Sequence, residues 1–502
     1  MVYIKTEKGQ NWLFPPRIQD MIPKDHICYL IEGFVESLDY SDFDKKYAGP
    51  GNPSYHPRIL LKIIIMGLLD RIRASRRLAR TANENVVYIY LSEKTSPNFR
   101  TISTFRKENP TLIKTTFKEI VKFARSENLL DLSKIAPDGT KMKANASNKS
   151  IVTKEELDMI IKFIETSLKE WEKEDNIEDE KFKELEGFGK LSGASKNKIK
   201  NKIKNYIKKS KKEGEDFKAV VEEDLKEIKS TMEKNELENI SLTDPDSRLM
   251  KNKKGKSELS YNPQITSDGN GFILANEVTQ DGNDLNQLIP QVELVEENVG
   301  PLEKGTGVPA DTGYDSAKNL KYLKDKELEG YIPNKEMSKR TKKEHKKKVD
   351  NYDYDKEKDQ IILDNGTRLD FHRRVVDKNG KVTFEYKSKD KKIKKTVPEF
   401  FEERIEMKKK MQTDEAKAIY KKRGQMVEPN FGDMKENKGF LGFLTKSFET
   451  VNNEFSLVCT AVNLRKIYTK LREKAENSGK SISHVIQESI KLFQMNKNGV
   501  VS

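Results

Sequence analysis

The pattern of apolar and polar positions divides the chain into a helical first quarter, a strand-bearing middle and a helical end. Pro57 suits the first turn of a helix, and Ile59, Leu60, Ile63, Ile64 and Leu68 follow at helical spacing. Thr101 or Ser103 is placed to cap a short helix through Thr104–Lys107. Pro110 ends it, and Ile113, Phe117, Ile120, Val121 and Ala124 form one apolar stripe of a further helix. Residues 132–146 read as a strand and its exit. From about 151 to 235, Ile160, Ile161, Ile164 and Leu168 return to the helical period and lysines crowd Lys196–Lys212, which predicts a charged helical insertion. Leu259–Thr266, a Ser267–Gly271 turn cluster and Phe272–Thr279 predict a β-hairpin. A helix over Leu285–Val299, a short strand Val308–Asp311, a helix opened by Ser316 and a strand ending at Tyr331–Asn334 follow. Between about 335 and 405, a lysine-rich start precedes Ile361–Leu363, Leu369–Phe371 and Val382–Tyr386, which read as short strands separated by Asn-Gly turns. Helices resume from about 413 to 470, interrupted near Pro429, and a last one covers about 481–494.

Composition adds a class of partner to this pattern. The chain has 502 residues, 35% hydrophobic and 35% charged, enough for two to four domains with a packed core and a very polar surface. Its net charge of +14 favours a polyanionic partner, solubility alone being the alternative. Arg71, Arg73, Arg76, Arg77 and Arg80 cluster among the short helices, which is the texture of a helix-turn-helix reader, with Arg106 the expected base contact; a basic bundle without groove contact is the alternative. Cys28 and Cys459 lie in apolar stretches as free core thiols, which fits a reducing compartment. The apolar run Ile59–Leu69 contains Lys62 and is too short to span a bilayer, and the N-terminus lacks the apolar core of a signal peptide. The expectation is a cytoplasmic protein without a membrane segment.

Three acids carry the candidate chemistry. Asp138 and Asp311 each end a predicted strand, and Glu428 sits on a predicted helix. Each alone has a plainer reading. Asp138-Gly139 is a common turn, Asp311 can cap one with Asp315 as a competing acid, and Glu428 before Pro429 suits a helix start. Together, carboxylates from separate elements make a divalent-metal site, the kind that cuts and joins phosphodiesters.

With the two insertions set aside, the order is strand with Asp, hairpin, helix, strand with Asp, helix, strand, helix with Glu. That order resembles the ribonuclease-H-like fold of the retroviral integrase and transposase superfamily. Phe99–Arg106, Asp138–Ala146, Ala310–Ser316, Val427–Lys435, Gly439-Phe440 and Asn453–Leu464 resemble the signatures of bacterial insertion-sequence transposases of the DDE type.

The resemblance implies a mixed α/β chain. Residues 1–130 would be a helical DNA-binding domain. Residues 131–150 and 241–334 would be the first part of the core, and 406–470 its glutamate-bearing helices. Residues 151–240 and 335–405 would be the helical and β-rich insertions, with a C-terminal helix over 471–502. It also implies two Mg2+ or Mn2+ ions, Asp138 bridging both while Asp311 and Glu428 each bind one. The expected partners are double-stranded DNA, as terminal repeats and target, and a second copy of the chain when assembled on DNA. Tyr420, Arg423, Glu428 and Lys435 fit a set found in related transposases, although the Arg-to-Glu gap is one residue longer than in one sister branch. Many relatives carry a cysteine cluster in the second insertion; this chain has none there, so no zinc is expected. A DNA-binding protein without catalysis and a nuclease of the same fold remain the alternatives.

Overall fold

The strand Ser257–Asp268 is the axis of the molecule. The structure is a computed structural model that describes residues 17–46, 54–171, 196–197, 201, 217–252, 255–334, 352–378, 380 and 382–497. The second half of the axial strand lies antiparallel between Ile135–Gly139 and Ile273–Thr279. Its first half pairs with Met142–Lys143 and Arg248–Lys251. A parallel bridge from Lys134 to Gly307 joins Gly307–Pro309 to the sheet, and that strand runs parallel to Glu329–Tyr331. The order across the sheet is therefore Ile273–Thr279, Ser257–Asp268, Ile135–Gly139, Gly307–Pro309, Glu329–Tyr331, a mixed α/β arrangement with the predicted hairpin at one side.

The alternation read from the sequence holds along the axial strand, but its polar half does not face water. Leu259, Tyr261 and Ile265 enter the core, while Ser260, Asn262, Gln264 and Thr266 are equally buried. Buried amides and hydroxyls are costly unless paired. Thr266 donates to Gln291 Oε1 at 3.0 Å; the partners of Asn262 and Gln264 belong to the site described below.

A long helix, Phe448–Ser478, packs against both the N-terminal helices and the sheet. It closes the sheet edge formed by Ile273–Thr279. Asn463 accepts from Ile273 N (2.9 Å) and donates to Ile273 O (2.7 Å), and Asn452 accepts from Val278 N (2.7 Å). Unpaired strand edges template further pairing, and these asparagines occupy that one. The helices Cys28–Glu36, Pro57–Leu69, Phe99–Glu108 and Pro110–Ser126 share one continuous hydrophobic core with it. The last helix, Ile482–Lys497, sets Phe493 against Phe34 and Phe123, with ring centroids 6.3 and 5.0 Å apart. The short helix expected to be capped by Thr101 or Ser103 starts instead at Phe99, because Asn98 accepts from Thr101 N at 2.9 Å. The helix expected from Leu285 starts at Leu288.

The first insertion stands on an antiparallel foot, Ile151–Thr153 with Asn239–Ser241, and continues into helices Lys154–Trp171 and Phe217–Lys234. Leu157, Ile160, Leu225 and Ile228 are buried there, and Lys229 meets Asp158 at 2.7 Å. The lysine run, apart from Lys196, lies outside the described residues.

The second insertion is a five-stranded antiparallel meander, Tyr352–Asp355, Gln360–Leu363, Arg368–Val376, Val382–Lys387 and Lys394–Pro398. Ile361, Leu369, Tyr386, Val397 and Phe401 form its small core. Its lysine-rich start lies outside the described residues. Among the described residues no helix is long and apolar enough to cross a membrane.

Candidate active site

Asp138 is the fourth residue of the strand Ile135–Gly139 and faces Ile265 across the ladder. Asp311 lies two residues beyond Gly307–Pro309, where its Oδ1 accepts from Gly313 N at 2.7 Å and caps the short turn Thr312–Tyr314. Glu428 rides on the helix Asp414–Gly432, whose start is capped by Thr413 accepting from Ala416 N at 3.2 Å. The interruption expected near Pro429 is corrected: the helix runs through it. Proline removes one helical hydrogen bond, and neighbouring Asn430 ties the turn down by donating to Ser267 Oγ (2.9 Å) and Gly271 O (3.0 Å). A π-turn, Asp433–Asn437, follows and carries Lys435. The Glu428 side chain leans back over Gly424, where a Cβ would lie 3.3 Å from its Oε1.

These residues line one open cleft of about 1120 Å³, together with Arg423, Lys435, Lys141, Lys251, Lys256 and Asp284. Arg423 sits 3.6 Å from Asp138 Oδ2 and 5.9 Å from the Tyr420 ring centroid. The longer Arg-to-Glu spacing therefore still brings Arg423 to the acids. Its Nη1 is buried without a hydrogen-bond partner. Burial works against its charge, and Asp138, Tyr420, Asp311 and Glu428 outweigh that to raise its pKa. Lys435 donates to Thr140 Oγ1 at 3.0 Å.

Burial pushes the Asp138 carboxyl up to about 6, with Asp311 and Asp284 adding to the rise against Arg423 and the Gly139 N–H. The cleft thus holds several carboxylates whose mutual repulsion Arg423 relieves in part. Its acid donors are all hard oxygens, the kind divalent magnesium or manganese takes. Among the described residues, no three acids, histidines or cysteines converge closely enough to hold an ion as they stand.

Two family profiles match the chain. One, described as "Transposase domain (DUF772)", covers residues 16–108; the other, described as "Transposase DDE domain", covers residues 385–468. Together the two matches support an insertion-sequence transposase of the DDE type. No curated protein matches it. The second match contains Tyr420, Arg423, Glu428 and Lys435; Asp138 and Asp311 lie outside both matches.

The arginines of the first match separate into two groups. Arg73 is turned inward. It donates to Gly439 O (3.0 Å), Gly442 O (2.5 Å) and Glu454 Oε1 (2.8 Å), and its guanidinium lies 4.3 Å from the Phe440 ring centroid. Arg106 is 6% exposed and donates to Arg73 O at 2.7 Å. Both arginines expected to contact DNA thus lie turned into the protein, Arg73 on two carbonyls and a carboxylate and Arg106 on one carbonyl. Arg71 is exposed but donates to Asn437 O at 2.7 Å. Arg76 and Arg77 remain on the exposed face, Arg76 lying 5.0 Å from the Phe99 ring centroid.

Two further acids need placing. Asp315, the competing acid, is bound bidentately by Arg404 at 2.7 and 3.2 Å, and Ser316 caps the following helix as expected. Asp284 does not stand out in the sequence. It accepts from Asn262 Nδ2 and Gln264 Nε2, both at 2.7 Å. Its one signal is the buried polar side of the axial strand, which needs a partner; in sequence it is hidden in the turn-like run Asp281–Asp284.

Proposed function

We propose that this transposase binds the ends of its own DNA element and catalyses divalent-metal-dependent strand cleavage and strand transfer, with Asp138, Asp311 and Glu428 as the catalytic acids. The observation that carries this reading is that the three acids, from two strand ends and a helix, open on one cleft edged by Lys141, Lys251, Lys256 and Lys435. The strand order, with its second strand antiparallel and the two aspartates on neighbouring strands, supports a ribonuclease-H-like core.

Asp138, Asp311 and Glu428 would hold Mg2+ or Mn2+, two ions by family resemblance; such ions activate a water or hydroxyl nucleophile and stabilise the leaving oxygen. The protein's own residues do the rest. Arg423 and Lys435 face a phosphodiester that enters between the acids, and the buried, unpartnered Nη1 of Arg423 is a donor available to a phosphate oxygen. The lysines at the rim draw the backbone in and make binding salt-dependent. Arg76 and Arg77, with the exposed face of Phe99–Glu108, contact the terminal repeat, and a second copy of the chain pairs the two ends.

Duplexes carrying the inverted repeats that flank the gene, incubated with the protein and MgCl2, test the reading. Cleavage is expected at the repeat ends. Asp138→Ala, Asp311→Ala and Glu428→Ala should each lower it by roughly a thousandfold or more while leaving DNA binding in place. Undiminished cleavage in any one of them removes that residue from the site.

A further inference from the structure

Asp284 is fixed more firmly than a surface turn residue needs to be. Its Oδ1 receives two amide donors, Asn262 Nδ2 and Gln264 Nε2, each at 2.7 Å, from consecutive positions on the buried polar side of the axial strand. Reversing the Gln264 amide would set its Oε1 against the Asp284 carboxylate, so Oε1 faces the buried Tyr314 hydroxyl and accepts from it at 2.5 Å. Asn262 also donates to Asp281 O at 3.2 Å, which fastens the loop that carries Asp284. A carboxylate so held is oriented by three separate elements: the axial strand, the turn after Asp311 and its own loop.

Its position is defined by two glycines. A Cβ on Gly139, next to Asp138, would lie 2.7 Å from Asp284 Oδ1 and 2.0 Å from Gln264 Nε2. A Cβ on Gly313, two residues beyond Asp311, would lie 3.3 Å from Asp284 Oδ2 and 2.8 Å from Asp311 Oδ1. The glycines after the two aspartates are therefore the space into which Asp284 and its amide partners fit. Asp138-Gly139 looks like a turn in sequence, yet it lies in a strand, and its glycine makes room for a third carboxylate.

The geometry points to Asp284 as a positioning acid of the cation site, a role that rests on the proposed metal chemistry of the cleft. Its Oδ1 is committed to the two amides. Its Oδ2 flanks the Gly313 turn on the side of Asp311, so its charge favours a cation between Asp138 and Asp311, and the Gln264 amide it anchors accepts from Tyr314 at the end of the Asp311 turn. Groups that orient metal ligands typically change metal affinity by roughly 10–100-fold when altered.

The test is Mn2+ titration of the full-length protein by calorimetry, without DNA, with melting temperatures recorded in the absence of metal. Asp284→Asn keeps an oxygen for Asn262 and Gln264 and removes the charge facing Asp311. It should weaken Mn2+ binding by roughly 10–100-fold with an unchanged metal-free melting temperature. Asp138→Asn, measured alongside, should also weaken it. Gly313→Ala, which crowds Asp311 Oδ1 and Asp284 Oδ2, should weaken binding as well and serves if Asp284→Asn does not fold. Wild-type Mn2+ affinity in Asp284→Asn with weakened binding in Asp138→Asn overturns the role of Asp284 and leaves the cleft intact. Wild-type affinity in Asp138→Asn too shows that the cleft is not the cation site, and the proposal falls with that reading. A lowered melting temperature with unchanged affinity assigns Asp284 a purely structural part and overturns the proposal.

Discussion

Arg423 places a buried Nη1 3.6 Å from Asp138 Oδ2, too far to form a hydrogen bond with it. Asp138 holds this nitrogen by charge and leaves its hydrogen-bonding capacity for an entering phosphate oxygen. Arg423→Ala should lower the cleavage rate by roughly 10²–10³, the range for removing one preorganised donor to developing charge. The same change takes away a positive charge beside the acids and should tighten Mn2+ binding. Single-turnover cleavage and calorimetry check the two halves; a variant unaltered in both has no part in the site.

Arg73 joins helices near the start of the chain to the segment after the glutamate helix. Its partner Glu454 also accepts from Leu444 N and Thr445 N, each at 3.0 Å. Arg73→Ala leaves that carboxylate buried with its cation gone, a change that costs about 3–5 kcal/mol. The melting temperature should fall well below the wild type. A stable Arg73→Ala that is impaired only in DNA affinity would restore the DNA contact read from the sequence.

Arg76 and Arg77 test the opposite expectation. Both are exposed, so Arg76→Ala with Arg77→Ala should leave stability within about 0.5 kcal/mol of wild type. DNA affinity should fall, and the log–log salt slope should shrink by about 0.9 for each phosphate no longer neutralised. Fluorescence anisotropy at several salt concentrations gives the slope; an unchanged slope places the DNA elsewhere.

Lys466 is driven by burial down to about 8, with Asp268 and Asp433 pulling the other way and Lys438 adding to the fall. It also donates to Gly271 O. Its ordinary value is 10.5, so the unfolded chain binds this proton more tightly than the native one. Stability contributed by this group therefore rises as pH climbs from about 8 to about 10.5. Lys466→Met should flatten that rise and be relatively more stable at pH 7. Denaturant melts of both proteins at pH 7, 8, 9 and 10 show it as a difference; parallel curves would mean that Lys466 is not depressed.

The second insertion is held by a core of Ile361, Leu369, Tyr386, Val397 and Phe401. Purified protein should carry no stoichiometric zinc, and EDTA should leave its strand signal in circular dichroism unchanged. Val397→Ala should destabilise this sheet by a few kcal/mol as a buried large-to-small change. Zinc that disappears when the segment is deleted would contradict this.

The three acids are legible in the sequence because each sits in a local setting with its own signature: two strand ends and a long helix. The hairpin around Ser267–Gly271 is equally plain, since period-two alternation survives whichever way the polar side points. What alternation cannot say is whether that polar side meets water or a buried partner, and Asp284 stays hidden for that reason. Arg106 misleads for a related cause. A cation on a short amphipathic helix looks alike from outside and inside, and the carbonyl of Arg73 that engages it is 33 residues away. The outer strands of the second insertion carry too much charge to be recognised, and Pro429 suggests a break where Asn430 and the hairpin hold the helix together.

The long helix Phe448–Ser478 also sets a distance. It packs against the N-terminal helices and grips the sheet edge through Asn452 and Asn463, so the surface presented by Arg76 and Arg77 and the cleft around Asp138 are built on one continuous hydrophobic core. With DNA bound as proposed, a ruler is built in: the number of base pairs between a sequence touched by that surface and the bond brought to the cleft is set by protein dimensions. Base pairs inserted between the two would rotate the scissile phosphate out of the cleft with the helical repeat of DNA, and only insertions of about a whole turn, 10–10.5 base pairs, would bring it back into phase.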